Sequence, residues 1–229
     1  MNIVECIDIK KSYRQGHMQV NALNGITLSV AESDFVALAG PSGSGKTTML
    51  NIVGGLDSPD SGLVKVNGRT LNEMSQSELA TMRLKKIGFV FQAYNLVPVL
   101  SALENVEFVM LLQGVPAAER RERAEAILDD VGLKDMYHRR PSELSGGQQQ
   151  RVAVARSIVA HPSIVLADEP TANLDSKTGE DLLILMKEMN EKRGVTFIFS
   201  THDKMVMEYA RRLIEIRDGK VAFDHVRDD

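Results

Sequence analysis

Hydrophobic residues fall along this chain in two rhythms. Residues 3–9 and 20–30 alternate apolar with polar side chains, the period-two pattern of strands with one wet face, and are expected to be antiparallel strands at one edge of a sheet. Shorter runs at 35–39, 86–91, 164–167 and 196–200 are almost continuously apolar and rich in Val, Ile and Phe. Such runs predict strands covered on both faces. Helical stretches separate several of them, so the pattern predicts a mostly parallel sheet flanked by helices. Leu182, Leu185, Met186 and Met189 recur at helical spacing and should pack on that sheet.

The character changes between 93 and 143. Residues 103–112, 117–130 and 133–137 have helical patterning, punctuated by Pro98, Pro116 and Pro141. The segment is expected to be a helical subdomain inserted into an α/β core formed by 1–92 and 144–229. Within it, Glu119 and Arg123 form an i,i+4 pair in a charged run that predicts a solvated helix face.

Composition narrows the function classes. The 229 residues include 27 basic and 31 acidic side chains, a net charge of −4, which disfavours nucleic acid as the main partner. Cys6 is the only cysteine and is expected to be a small buried hydrophobe. Met49, Met110, Met186 and Met189 are expected to fill the core. His17, His138, His161 and His225 lack metal-ligand spacing. Without a cleavable leader or an apolar run of about 18 residues, the chain is expected to be cytoplasmic, reaching a membrane only through a partner.

The sharpest chemistry lies just after the first apolar run. Gly40, Pro41, Ser42, Gly43, Ser44, Gly45, Lys46 and Thr47 fit G-x-x-x-x-G-K-[ST] in full, between a strand and a helical stretch over 47–54. Glycines let the backbone wrap a phosphate, and the helix start presents free N–H groups to the anion. Lys46 is expected to meet the β- and γ-phosphates of ATP, and the Thr47 hydroxyl to ligate Mg²⁺. The run 164–167 ends in Asp168 and Glu169, at the sheet edge where such ligands gather. Asp168 can hold Mg²⁺ through water, and Glu169 can accept a proton from the attacking water.

A second helix start repeats the anion-binding theme. Ser145 can cap a helix that begins with Gly146, Gly147 and Gln148, and the glycines leave its first N–H groups bare. Leu-Ser-Gly-Gly-Gln over 144–148 resembles the signature motif of ATP-binding-cassette ATPases, and the resemblance runs from Tyr13 to about Gly219. It implies a P-loop NTPase core of the RecA-like kind, with an N-terminal antiparallel β subdomain and an inserted α-helical subdomain. It further implies a head-to-tail dimer, with each ATP held between residues 40–48 of one chain and 145–148 of the other, Thr48 included. Gln92 resembles the glutamine-loop residue that touches Mg²⁺, and His202 the switch histidine on the γ-phosphate. Tyr13 resembles the aromatic residue that stacks on adenine, and Asn173, Leu174 and Asp175 a loop crossing the dimer interface. Residues 95–106, 145–151 and 174–179 are most similar to the lipoprotein-release and macrolide-export branch, which implies an integral membrane permease as partner. The resemblance also admits a soluble cassette ATPase acting on DNA or the ribosome. Such proteins usually carry long coiled-coil insertions or two tandem cassettes, and neither is present here.

Overall fold

The computed structural model describes every residue other than His17, Asp228 and Asp229, so His17 lies outside the described residues. Two long strands, β1 (Asn2–Gln15) and β2 (Met18–Ala31), precede β3 (Phe35–Ala39) and α1 (Lys46–Val53). Two short strands follow, β4 (Ser61–Val66) and β5 (Arg69–Thr70), then α2 (Gln76–Lys86) and β6 (Ile87–Phe91). Helices α3 (Ala102–Leu112), α4 (Ala117–Asp130) and α5 (Gly146–Ile158) lead to β7 (Ile164–Asp168) and the long α6 (Ser176–Arg193). The chain closes with β8 (Thr196–Thr201), α7 (Lys204–Tyr209), β9 (Arg212–Arg217) and β10 (Lys220–Val226).

These strands make two sheets. One has six strands in the order β10-β9-β3-β8-β7-β6, parallel except for β10; the other has four, in the order β2-β1-β4-β5. The alternating segments at 3–9 and 20–30 therefore do not edge the main sheet: they build a separate antiparallel one. The inner strands β3, β7 and β8 are buried on both faces, which explains their uninterrupted apolar runs. Phe35, Phe197, Phe199, Val165 and Ala167 face a core shared with α3 to α6. Their neighbours Val36, Leu38, Ile198, Ile164 and Leu166 face the opposite core, with α1 and the four-stranded sheet. Successive strand residues thus feed two different cores.

Core expectations from the pattern hold. Met49, Met110, Met186 and Met189 are buried, as are Leu182 and Leu185. Cys6 is buried too, and burial pushes its thiol up to about 12. Two local readings change. Residues 134–136 form one 3-10 turn rather than a helix, because so short a segment cannot repay helix nucleation. The charged run on α4 is only partly a wet face. Glu119 and Arg123 do pair at 3.3 Å, but Arg123 also turns inward and donates to the Val159 carbonyl at 2.7 Å, at the end of α5. A guanidinium there satisfies an orphan carbonyl and complements the helix dipole.

Register is what gathers the functional positions. Across the parallel strands Ala39 faces Thr201, Ser200 faces Asp168, and Asp168 faces Phe91. The next residues along each strand, Gly40, His202, Glu169 and Gln92, therefore leave the sheet at one edge.

Candidate functional site

Between β3 and α1 the chain makes a tight turn over residues 40–45. Gly40 sits at φ +147°, and a Cβ there would overlap the Ile216 carbonyl oxygen, so only glycine fits. Helix α1 starts at Gly45 with no side-chain cap and no acidic residue in its first turn, leaving its dipole and early N–H groups uncompensated by side chains. The Lys46 ammonium reaches back over the loop and donates to the carbonyls of Gly40 at 2.8 Å and Pro41 at 2.9 Å. Burial lowers its pKa, while the charges of Glu169 and Asp168 act the other way. Ser44 Oγ is buried without a hydrogen-bond partner among the described residues, beneath the same loop.

Opposite the loop stand the carboxylates that end β7. Thr47 donates its hydroxyl to Asp168 Oδ1 at 3.0 Å, joining the start of α1 to the sheet edge. Glu169 lies in the left-handed region at φ +46°, a conformation costing on the order of 1–3 kcal/mol for a non-glycine residue. Its N–H donates to the Ser200 carbonyl at 2.9 Å, and its Oε1 lies 2.8 Å from His202 Nδ1. The pair is asymmetric in exposure: the Glu169 side chain is 16% exposed and that of His202 66%. The acid is held, and the imidazole faces outward.

A cavity of about 540 Å³ collects these groups. Ser42, Gly43, Gly45, Lys46, Thr47 and Thr48 line one side; Gln92, Asp168, Glu169 and His202 line the other, with half-exposed Tyr13 at the rim. Tyr13 is braced by groups that no sequence motif marked. Its hydroxyl donates to Asp57 at 2.7 Å, and Lys11 Nζ lies 5.2 Å from its ring centre while also pairing with Asp57 at 2.8 Å. Burial raises the Tyr13 pKa, and the Asp57 bond adds to it. Asn173, singled out in the sequence for a loop at the dimer interface, also reaches the site: its amide donates to the Gln92 carbonyl at 2.8 Å. A larger open cleft of about 1040 Å³ between the two sheets, near Lys10, Asn21 and Lys220, gathers no comparable set of groups.

The second helix start is not part of this cavity. Ser145, Gly146, Gly147 and Gln148 are absent from its walls. Ser145 caps α5 in a reciprocal box, with Gln148 N–H on Ser145 Oγ at 3.3 Å and Ser145 N–H on Gln148 Oε1 at 2.9 Å. Gly147 has a packing role as well, since a Cβ there would overlap the Thr178 methyl on α6. Gln150, fully buried, donates to the Pro170 carbonyl at 2.8 Å and ties α5 to the loop after Glu169.

A family model described as ABC transporter matches residues 23–172. The chain belongs to that family. This cassette is 48% identical over 219 residues to an uncharacterized ABC transporter ATP-binding protein of Thermotoga maritima, covering 96% of this chain and 93% of that protein. It is also 48% identical over 223 residues to the macrolide export ATP-binding/permease protein MacB of Syntrophobacter fumaroxidans. That match covers 96% of the cassette but only 31% of MacB, so the chain spans about a third of the MacB relative. Among solved structures, a dimeric post-hydrolysis state of the ATP-binding cassette MJ0796 bound to ADP and Pi superposes with a TM-score of 0.90. The two are 43% identical, and the match covers 99% of this chain and 100% of that one. The two-sheet α/β architecture is thus that of an ATP-binding cassette. No helix among the described residues is long and apolar enough to cross a membrane.

Proposed function

We propose that the cassette hydrolyses Mg-ATP as one half of a head-to-tail pair and powers an integral membrane permease from its cytoplasmic face. One observation carries this reading. Lys46, Thr47, Asp168, Glu169 and His202 converge on a single cavity, while the capped start of α5 opens elsewhere. An anion-binding helix start outside the chain's own cavity suits the phosphate of a partner's nucleotide. The dimeric, ADP-bound state of a cassette 43% identical to this one supports the same arrangement.

Within each half, the backbone from Gly40 to Gly45 and the Lys46 ammonium would hold the phosphates, and Tyr13 would stack on adenine. The donor set suits Mg²⁺, which prefers hard oxygen ligands and keeps some of its water. Thr47 Oγ1 and Asp168 Oδ1 lie 3.0 Å apart, and Gln92 lines the same wall, so Thr47, Asp168 and the Gln92 amide would hold the ion. When bound, Mg²⁺ neutralises charge building between the phosphates. Glu169 would accept the proton of the attacking water, with His202 steadying it and reaching the γ-phosphate. Residues 93–143 would form the inserted subdomain that docks the permease. The MacB-like relative favours export, lipoprotein release or force transmission as the work done.

Ser145→Arg is expected to abolish ATP-dependent dimerisation while leaving ATP affinity of the single chain within about twofold, because the side chain enters the neighbour's cavity only on closure. Light scattering with and without Mg-ATP reads the outcome, and a dimer that still forms would remove the sandwich. The membrane partner is tested by purifying tagged Glu169→Gln from detergent-solubilised membranes with Mg-ATP. A permease with few spans and a large extracytoplasmic part is expected. Recovery of soluble or ribosomal proteins alone would overturn the transport reading.

A further inference from the structure

The three residues after Gln92 are wound unusually tightly. Tyr94 and Asn95 follow one another at φ +59° and +49°, two successive non-glycine residues in the left-handed region. Asn tolerates that region; a bulky aromatic residue is rarely found there. Asn95 N–H folds back to the Ala93 carbonyl at 2.6 Å and Tyr94 N–H to the Phe91 carbonyl at 3.1 Å. Such a conformation persists only where surrounding structure over-determines it.

One side chain grips both of these residues directly. Arg156, on α5, donates Nη2 to the Tyr94 carbonyl at 2.9 Å and Nη1 to the Asn95 carbonyl at 2.6 Å. It is half-buried, with no ion-pair partner among the described residues, so these two carbonyls are what its fork engages. A planar fork can grip two consecutive carbonyls at once; a lysine ammonium offers no such fixed geometry. The same segment also touches the other end of α5, since a Cβ on Gly146 would lie 2.9 Å from the Tyr94 hydroxyl. Just upstream, Asn173 holds the Gln92 carbonyl. Gln92 is therefore presented to the nucleotide cavity by a turn with one designed clamp on its far side.

We propose that Arg156 is a positioning residue for Gln92: its guanidinium fixes the left-handed turn at Tyr94 and Asn95, and the turn sets where the Gln92 amide stands in the cavity. The inference rests on the reading of Gln92 given above. Arg156 and Asn95 also line a groove of about 390 Å³ whose walls include Ile87, Phe89, Phe91 and Val109. Anything seated in that groove meets the side chain that sets Gln92.

The test combines hydrogen–deuterium exchange with steady-state kinetics on the full chain carrying Arg156→Lys or Arg156→Ala. Both variants are expected to exchange faster than wild type in the peptide spanning 92–96, with the nucleotide loop unaffected. Turnover should fall by roughly tenfold or more, as displacement of a positioned group commonly does, while the KM for ATP stays within about twofold. Adding Asn95→Gly to Arg156→Ala should restore part of the lost turnover, because glycine adopts the left-handed region without a clamp. Asn95→Val, an exposed change that leaves Arg156 intact, should loosen the same peptide from the other side. If Arg156→Lys retains wild-type exchange and turnover, charge rather than the fork is what matters and the proposal falls. Unchanged exchange in 92–96 for both Arg156→Ala and Asn95→Val would also overturn it. Gln92→Ala separates the two ideas: normal turnover in that variant would remove the role of Gln92, while the exchange data still decide whether Arg156 holds the turn.

Discussion

Glu169→Gln is expected to bind ATP about as tightly as wild type and to lose turnover by roughly 10²–10⁴-fold, the usual contribution of a positioned general base. The substitution is nearly isosteric. Glu169 is clamped by its N–H bond to Ser200 and by His202 Nδ1 at 2.8 Å, and a glutamine amide can still pair with that nitrogen. What disappears is the negative charge and the basic lone pair, not the arrangement. Because hydrolysis is what would release the closed pair, the variant should also accumulate as a dimer when Mg-ATP is added. Single-turnover assays and light scattering read the two effects separately. Normal turnover would mean that another group takes the proton from water; slow turnover without dimer would break the link between hydrolysis and opening.

Lys46→Ala should remove the other half of the chemistry, binding itself. Lys46 is 6% exposed and its ammonium spans the Gly40 and Pro41 carbonyls, so it is fixed directly above the loop that would hold the phosphates. Two charge-assisted bonds to phosphate, at about 1.5–3 kcal/mol each, correspond to a loss of affinity on the order of 10²–10⁴-fold. Titration calorimetry measures this directly, and a thermal melt separates it from misfolding. An affinity within twofold of wild type would remove the assignment of 40–47 as the phosphate loop. The contrast with Glu169→Gln is the useful part. One variant should be empty and monomeric, the other full and paired.

Much of this architecture was readable because its strongest determinants are local. The strand–loop–helix at 35–54 carries all its requirements within twenty consecutive residues. The apolar runs of β3, β7 and β8 declare strands covered on both faces, and the structure covers both. The separate four-stranded sheet was less legible, because β5 is only two residues long and the pairing of β4 with β1 joins distant segments. Strand β9, with charged residues between its apolar ones, gave too brief an alternation to stand out. The braces of the site were not legible at all. Tyr13 meets Asp57 across 44 positions, Gln92 meets Asn173 across 81, and Arg156 meets Asn95 across 61. Asp57 and Arg156 sit in no motif, and nothing in the loop at 173–175 announces that Asn173 reaches Gln92. The inward turn of Arg123 was hidden for the same reason: its acceptor, Val159, lies 36 positions away.

The alignment of Gly40, Gln92, Glu169 and His202 at one edge of the main sheet has a consequence for how such a chain can drift. Each residue is metered out by a buried strand that advances about 3.3 Å per position and sends successive side chains to opposite cores. Losing or gaining a single residue inside β3, β6, β7 or β8 would shift one of these four residues by that distance. It would also turn that strand's side chains into the wrong cores. Exchange of one aliphatic residue for another in these strands changes neither quantity. The lineage of this cassette is therefore freer in the spelling of its inner strands than in their length.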